Sequence, residues 1–431
     1  SNSIYRVADI LLNNKDKIEQ HLYNKTKQIF QYDETITLYD LTNTYFEGDI
    51  NNAPLAKRGR SKEKRSDAKI ITLAVVLDSS GFIKNSKIFA GNISEPSTLQ
   101  QMIDTLKVQT TKDSDNKTLL KSNTNALVVM DAGIATTKNI EYLKTNGYEY
   151  LVVSRKRDKQ FDKANSCVVK TNKDNEPIVR AQKVLIYNED GDIKECELYC
   201  HSSARQSKED SMQTRVQTQF IESLKYLKAG LTLPKRMKRY DKVLEKIGAL
   251  KTKYSTIAKY YDITVQKDTN SNNAIDISYK EKMGTDNKSV FNGVYCLRTN
   301  NTTMDEKTLW KTYTTLTDLE AVFRTLKTEL ALRPIYHQKQ SRIDAHLFIT
   351  TIAYTIIHTI RYQLKASNIN YSWTTIKELL SPQIRVTTTA KCKDGKILYL
   401  RKSSQLNEKQ KEIFKVLNIT YKAGPITKIY K

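Results

Sequence analysis

Two short apolar runs, each ending in an aspartate, constrain this chain most. They are Thr35-Ile-Thr-Leu-Tyr-Asp40 and Ala126-Leu-Val-Val-Met-Asp131. Both are too short for a buried helix and rich in β-formers, so they read as strands covered on both faces. Such strands deliver whatever follows them to the rim of a sheet. A third carboxylate, Glu320, lies inside the helical stretch Thr317-Asp-Leu-Glu-Ala-Val-Phe-Arg-Thr-Leu-Lys327. If Asp40, Asp131 and Glu320 converge, three carboxylates from three elements form an all-oxygen cage suited to Mg²⁺ or Mn²⁺. The bland alternative for each aspartate is a helix cap or a turn closure.

Order along the chain supports a sheet of this kind. Residues 4–30 read as one amphipathic helix, followed by a strand at 36–40. Ile70–Leu77 and Phe82–Phe89 form a hairpin across Asp78-Ser-Ser-Gly81. A helix opens at Pro96, with Ser94 as candidate cap, and runs to about Leu106. A strand at 127–131, a helix at 137–146 stopped by Gly147, and a strand at 150–153 complete the series. Strand, strand, strand, helix, strand, helix, strand is the order of a ribonuclease H-like fold, an α/β mixed sheet flanked by helices.

From about residue 155 the pattern changes. Short β-like runs at 167–170, 184–187 and 197–200 precede a long polar helix. The basic stretch 233–254, also read as helical, follows them. Strand character resumes at 293–298, and helices follow at about 305–330, 340–366 and 405–416. The expected organisation is an N-terminal helical segment (1–30) and a ribonuclease H-like core in two parts (31–155 and 291–366). An inserted α+β domain (156–290) and a C-terminal region (367–431) complete it.

Composition narrows the partner. The chain has 431 residues, a formal net charge of +24 and 39% hydrophobic residues. It can build a core, and its charge points to a polyanion, most directly nucleic acid. An AT-rich genome, which enriches Lys, Asn, Ile and Tyr, is the competing source of that charge. A carboxylate cage in so basic a chain suits cutting or joining a phosphodiester backbone. Cys167, Cys196, Cys200, Cys296 and Cys392 form no disulfide framework, which suits a reducing cytoplasm. Cys196, Cys200 and His201 lack a second ligand pair for zinc. No signal peptide is evident. The most apolar stretch, Ala345–Ile360, is interrupted by His346, Thr350, Thr351, Thr355 and His358. It reads as a buried helix and not as a membrane span.

Basic groups gather at three places. On the helix around Glu320, Leu319, Val322, Phe323, Leu326 and Leu330 make a core stripe, and Tyr313, Glu320, Arg324 and Lys327 make a second stripe beside it. The second stripe suits a cleft holding metal and phosphate, or equally a solvated face with i,i+4 ion pairs. The loop with Arg58, Arg60, Lys62, Lys64 and Arg65 is the basic cluster nearest Asp40. Lys235, Arg236, Lys238 and Arg239 form another. Both clusters are candidate phosphate contacts, with a solvated surface as the alternative. Trp310 and Trp373 are base-stacking candidates, though a tryptophan is more often part of a core. His337 and His346 are given structural roles.

Three blocks carry a family resemblance: Leu38-Tyr-Asp-Leu-Thr-Asn-Thr-Tyr-Phe-Glu-Gly-Asp49, the stretch from Val128 to Arg155, and Tyr313 to His337. They resemble bacterial insertion-sequence transposases of the DDE type, in the branch with a Tyr-x-x-Arg-x-x-x-Glu-(x6)-Lys signature. Tyr313, Glu320 and Lys327 fall on that spacing, and Leu316 stands at the arginine position. Arg324, one turn after Glu320, offers the missing charge. The resemblance implies that Asp40, Asp131 and Glu320 are the catalytic residues and hold two Mg²⁺ (or Mn²⁺) ions. It also implies cleavage of DNA at transposon ends and strand transfer into target DNA. The implied setting is a bacterial cytoplasm, with double-stranded DNA as partner and a homodimer on DNA. Another ribonuclease H-like metallonuclease, of resolvase or repair type, and an inactive DNA-binding remnant of a mobile element are the rivals. About forty residues precede Asp40, which leaves little room for the N-terminal DNA-recognition domain that such transposases often carry.

Overall fold

The computed structural model describes residues 2–30, 36–61, 65–112, 126–154, 160–282, 292–422 and 424–430. In chain order the elements begin with α1 (Asn2–Asn13), α2 (Lys15–Phe30), β1 (Ile36–Tyr45), β2 (Ile70–Asp78), β3 (Ile83–Ala90), α3 (Leu99–Lys112), β4 (Leu127–Met130), α4 (Thr137–Thr145) and β5 (Glu149–Val153). Then come β6 (Cys167–Thr171), β7 (Pro177–Tyr187), β8 (Ile193–Ser202), α5 (Ser203–Gly230), α6 (Tyr240–Lys253), α7 (Ser255–Ala258), β9 (Tyr261–Lys267), β10 (Ala274–Glu281) and β11 (Val294–Thr299). The last are α8 (Glu306–Arg324), α9 (Gln340–Ala366), α10 (Trp373–Leu380), β12 (Arg385–Lys391), β13 (Ile397–Ser403), α11 (Glu408–Val416) and β14 (Thr427–Tyr430). The chain divides into two compact units, 1–150 with 312–431, and 151–311.

The first unit is built on strands in the order β3-β2-β1-β4-β5. β1 pairs antiparallel with β2 and parallel with β4, and β2 pairs antiparallel with β3. This mixed sheet flanked by helices is the expected ribonuclease H-like arrangement. β2 is buried at all nine positions, which is why it reads as a near-continuous apolar run interrupted only by Thr72 before Asp78 closes it. Leu99, Met102 and Ile103 of α3, and Ile140 and Leu143 of α4, are buried at helical spacing. Thr136 caps α4 by accepting from the Asn139 amide at 3.3 Å. Gly147, at φ +74°, stops the helix in the left-handed region that glycine enters without strain.

α9 is a core helix that bonds to the turn of the β2–β3 hairpin. Tyr354 Oη donates to the Gly81 carbonyl at 2.9 Å, and His358 Nε2 lies 2.8 Å from the Ser80 carbonyl. Asp78 Oδ1 accepts from the amides of Ser80 and Phe82, which closes the turn. By length and composition α9 is apolar enough to cross a membrane, yet half of its most apolar window is buried inside the protein.

The N-terminus departs from the single helix expected over 4–30. It breaks between Asn13 and Lys15, where consecutive asparagines are poor helix formers. Asn14 turns its side chain onto the Ile10 carbonyl. The break lets Lys15 reach the Ser86 carbonyl (2.6 Å) and Glu19 (2.8 Å). Glu19 is buried and also accepts from the Ser86 hydroxyl, pinning α2 to β3.

The second unit carries strands in the order β11-β8-β7-β6, all antiparallel, with the end of β5 beside β11. An ion pair between buried Glu195 and half-buried Arg298 ties β8 to β11. Phe220, Leu224, Leu250 and Tyr254 form a core between α5, α6 and α7, beside the β9–β10 hairpin. The helix expected over 233–254 starts only at Tyr240. Pro234, and Lys235 at φ +59°, make residues 231–239 a turn instead. In the C-terminal region α10 and α11 pack on the end of α9 through Leu364, Ile369, Ile376 and Ile413. β12, β13 and β14 form a separate three-stranded sheet.

Candidate active site

Parallel pairing brings the two aspartates together. Ile36 through Tyr39 lie opposite Leu127 through Met130, so the next step in register sets Asp40 beside Asp131. Adjacent strands lie about 5 Å apart, and residues in register share a face. β1 does not end at Asp40 as the sequence suggested, but runs on to Tyr45 with β2 still alongside. β4 stops at Met130, so Asp40 sits where β1 loses its neighbour on one side. Neither aspartate caps a helix: Thr136 caps α4, and each aspartate's Oδ1 accepts from the next residue's amide at 2.7 Å. Asp131 is exposed and Asp40 half-buried, so both carboxylates reach solvent.

The extension of β1 past Asp40 anchors the other candidate groups, a role the sequence reading missed. Asn43 is buried; its Nδ2 donates to the Arg60 carbonyl at 2.9 Å and its Oδ1 accepts from Thr72 at 3.0 Å. The basic loop is thereby held against β1. A Cβ on Gly59 would come within 2.2 Å of the Gly91 carbonyl, which fixes this loop by a close backbone approach. Arg58 and Arg60 are exposed. Arg65 is paired with Asp67 at 2.6 Å and stacks over Tyr45. Lys62 and Lys64 lie outside the described residues. Thr44, on the same face as Asp40, donates to the Leu332 carbonyl at 3.0 Å, and Ile335 bonds to Tyr45 and Glu47. The signal available in sequence was the polar run Thr42-Asn43-Thr44 continuing an otherwise apolar strand.

Glu320 is exposed on α8, in the same unit as the aspartates. Val322, Phe323 and Leu326 are buried as the core stripe requires; the Leu319 side chain lies outside the described ones. The helix reaches back past Tyr313, which is half-buried, and Arg324 is exposed. The helix expected to 330 is not uniform. After Arg324 it widens into a π-helical turn, Thr325–Glu329, closed by the Leu330 amide on the Thr325 carbonyl at 3.1 Å. In a straight α-helix Lys327 falls within about 20° of Glu320. The wider turn rotates it away from that line, and such turns recur at functional sites.

Several of the other candidates have partners of their own. Lys235, Arg236, Lys238 and Arg239 belong to the second unit, where Arg239 pairs with Asp241 and Arg236 bonds to Tyr226 Oη. Trp310 Nε1 donates to Tyr295 Oη, and Trp373 packs with α10 and α11. The His337 and His346 rings meet edge to face, and burial holds His346 below the usual histidine range. Burial pushes the Cys196 thiol up to about 11 and the Cys200 thiol up as well, so both stay protonated.

The donor chemistry fits a hard divalent cation: carboxylate oxygens, two of them on neighbouring strands at a solvent-reaching rim. Among the described residues no three His, Cys, Asp or Glu side chains stand close enough to hold an ion together. Asp40 and Asp131 thus each follow the last residues paired between β1 and β4, and among the described residues no such group includes Glu320.

Comparison with known proteins agrees with this core. The family described as transposase DDE domain matches residues 32–356. No curated protein matches the chain. Among solved structures, the Mos1 transposase paired-end complex with left transposon end is similar at 13% identity, with a TM-score of 0.19. That match covers 32% of this chain and 41% of the other. With the family match spanning most of its length, from before β1 into α9, the chain belongs to the DDE transposases.

Proposed function

We propose that this chain cleaves double-stranded DNA at transposon ends and transfers the freed strands to target DNA, using Asp40, Asp131 and Glu320 as ligands for two Mg²⁺ or Mn²⁺ ions. The observation that supports this reading is the parallel register of β1 and β4, which runs to Tyr39 and Met130, the residues just before Asp40 and Asp131. When bound, the ions supply an activated water or 3′-hydroxyl and stabilisation of the leaving oxygen. Asp40 and Asp131 contribute negative charge at fixed positions on paired strands. Glu320 contributes a third carboxylate from a helix that widens one turn later. Arg324 and Lys327 bind phosphate oxygens beside it, with Tyr313 on the same helix. Arg58 and Arg60 contact the backbone from the loop that Asn43 holds. The protein acts as a homodimer on DNA.

Asp131→Asn tests the reading. It keeps the shape and removes the charge, so Mn²⁺ binding measured by calorimetry and cleavage of end DNA should both fall by at least about 100-fold, the scale of losing an essential ligand. DNA affinity, which rests on Lys and Arg contacts, should hold within about twofold. Wild-type-like Mn²⁺ binding by a folded Asp131→Asn protein would remove Asp131 from the site.

A further inference from the structure

We infer that the C-terminal three-stranded sheet is a second DNA-contacting surface, gripping phosphates through the face that carries Arg385, Lys391 and Arg401. This rests on the reading that the chain works on DNA. The register defines the face. Arg385, Thr387, Thr389 and Lys391 of β12 lie opposite Ser403, Arg401, Tyr399 and Ile397 of β13. Tyr399 and Arg401 in turn face Ile429 and Thr427 of β14. Residues directly opposite one another share a side, so three cations and the hydroxyls of Thr387, Thr389, Tyr399 and Thr427 occupy one surface. Cations and hydroxyls of this kind are the groups that hold DNA phosphates.

The sheet carries no core of its own. β12 is exposed at every residue, and no described residue of the three strands is buried. A sheet this small needs a hydrophobic face or a covering element for independent stability, so a bare one invites a partner. Charge selects the partner. Asp394, at the hairpin tip, is the only acidic residue of the sheet and its β12–β13 hairpin. The guanidiniums are oriented by neutral groups: Arg401 Nε donates to Thr387 Oγ1 at 3.0 Å and Arg385 to the Pro425 carbonyl at 2.8 Å. Elsewhere Arg65, Arg205, Arg298 and Arg342 are held by carboxylates. A guanidinium fixed by a neutral acceptor keeps its charge and further donors for a phosphate. A second copy of the chain would set like charges against each other, which is unfavourable at an interface. From Arg385 to Lys391 the strand spans about 20 Å, the rise of about six base pairs.

The test compares two equal charge removals in the full chain. Arg385→Gln with Arg401→Gln empties the proposed face; Lys402→Gln with Lys428→Gln removes the same charge from the opposite face. Binding of a labelled duplex of arbitrary sequence is followed by anisotropy as salt is raised. The first pair is expected to reduce the slope of log affinity against log salt by about 2, and the second by less than half of that. Arg385→Lys with Arg401→Lys should retain the slope, separating charge from the two hydrogen bonds. Melting curves check folding, and all four positions are exposed. Equal losses in both pairs would overturn the face assignment. Unchanged slopes in both, with wild type binding normally, would overturn the surface and leave the proposed function standing. A wild type without salt-dependent DNA binding would overturn the function itself. Altered sedimentation of the DNA-free Arg385→Gln, Arg401→Gln protein, with DNA binding intact, would assign the face to a second copy.

Discussion

His358 on α9 offers a magnitude that can be worked from contacts. Its ring stacks on Tyr354 at 5.3 Å, meets Phe82 edge to face at 4.6 Å, and bonds to the Ser80 carbonyl. Burial, against the partial help of the Ser80 carbonyl and with Arg361 and Lys365 nearby, pushes its pKa from 6.5 down to about 4. A folded-state value below the unfolded one gives stability that is present above pH 6.5 and lost as pH falls towards 4. Between pH 7 and pH 5 the loss from this group is about 2 kcal/mol. His358→Phe keeps an aromatic ring and removes the titration, at a cost of about 1 kcal/mol for the hydrogen bond. The variant should therefore be the less stable protein at pH 7 and the more stable at pH 5. Urea unfolding at the two pH values decides it. Glu19 and Asp344, whose pKa values are raised by burial, titrate alike in both proteins and cancel in the comparison. Parallel loss of stability in the two proteins would refute the reasoning.

Two further outcomes are expected. Lys327→Ala should cut strand cleavage at least about tenfold while the melting temperature moves by no more than a few degrees, because a half-exposed lysine contributes little to folding; unchanged cleavage would return Lys327 to a solvated helix end. Asn43→Ala leaves the Thr72 hydroxyl and the Arg60 carbonyl without their partner, so denaturant unfolding should show a loss of about 2–4 kcal/mol, and DNA affinity should fall as the basic loop shifts; wild-type stability would refute Asn43 as an anchor.

The elements legible in the sequence were those whose periodicity reflects burial on known faces. β2 and β4 are largely apolar runs because both of their faces are covered, and α9 keeps the bounds expected for it. The parallel runs that lead into Asp40 and Asp131 were legible for the same reason. What was missed depended on distant partners. The second half of β1 is polar, and it is a strand because β2 runs beside it to Tyr45. The π-turn follows from how the end of α8 meets the segment after it, which no residue pattern announces. The run 235–239 has helix-forming lysines and arginines, but Pro234 and the backbone bonds to 272–274 hold it as a turn. The tail named no chemistry until strand register placed Arg385, Lys391 and Arg401 on one face.

The overhang of β1 bears on how the protein is made. Beyond Asp40 the strand is closed on one side by Tyr45's bond to Ile335, from a segment 290 residues later. At ribosomal rates of 5–20 residues per second, that edge waits roughly 15–60 s for its partner during synthesis. An open strand edge is a template for unwanted pairing. The polar sequence Thr42-Asn43-Thr44 makes the waiting edge a poor template until the segment at Ile335 has left the ribosome.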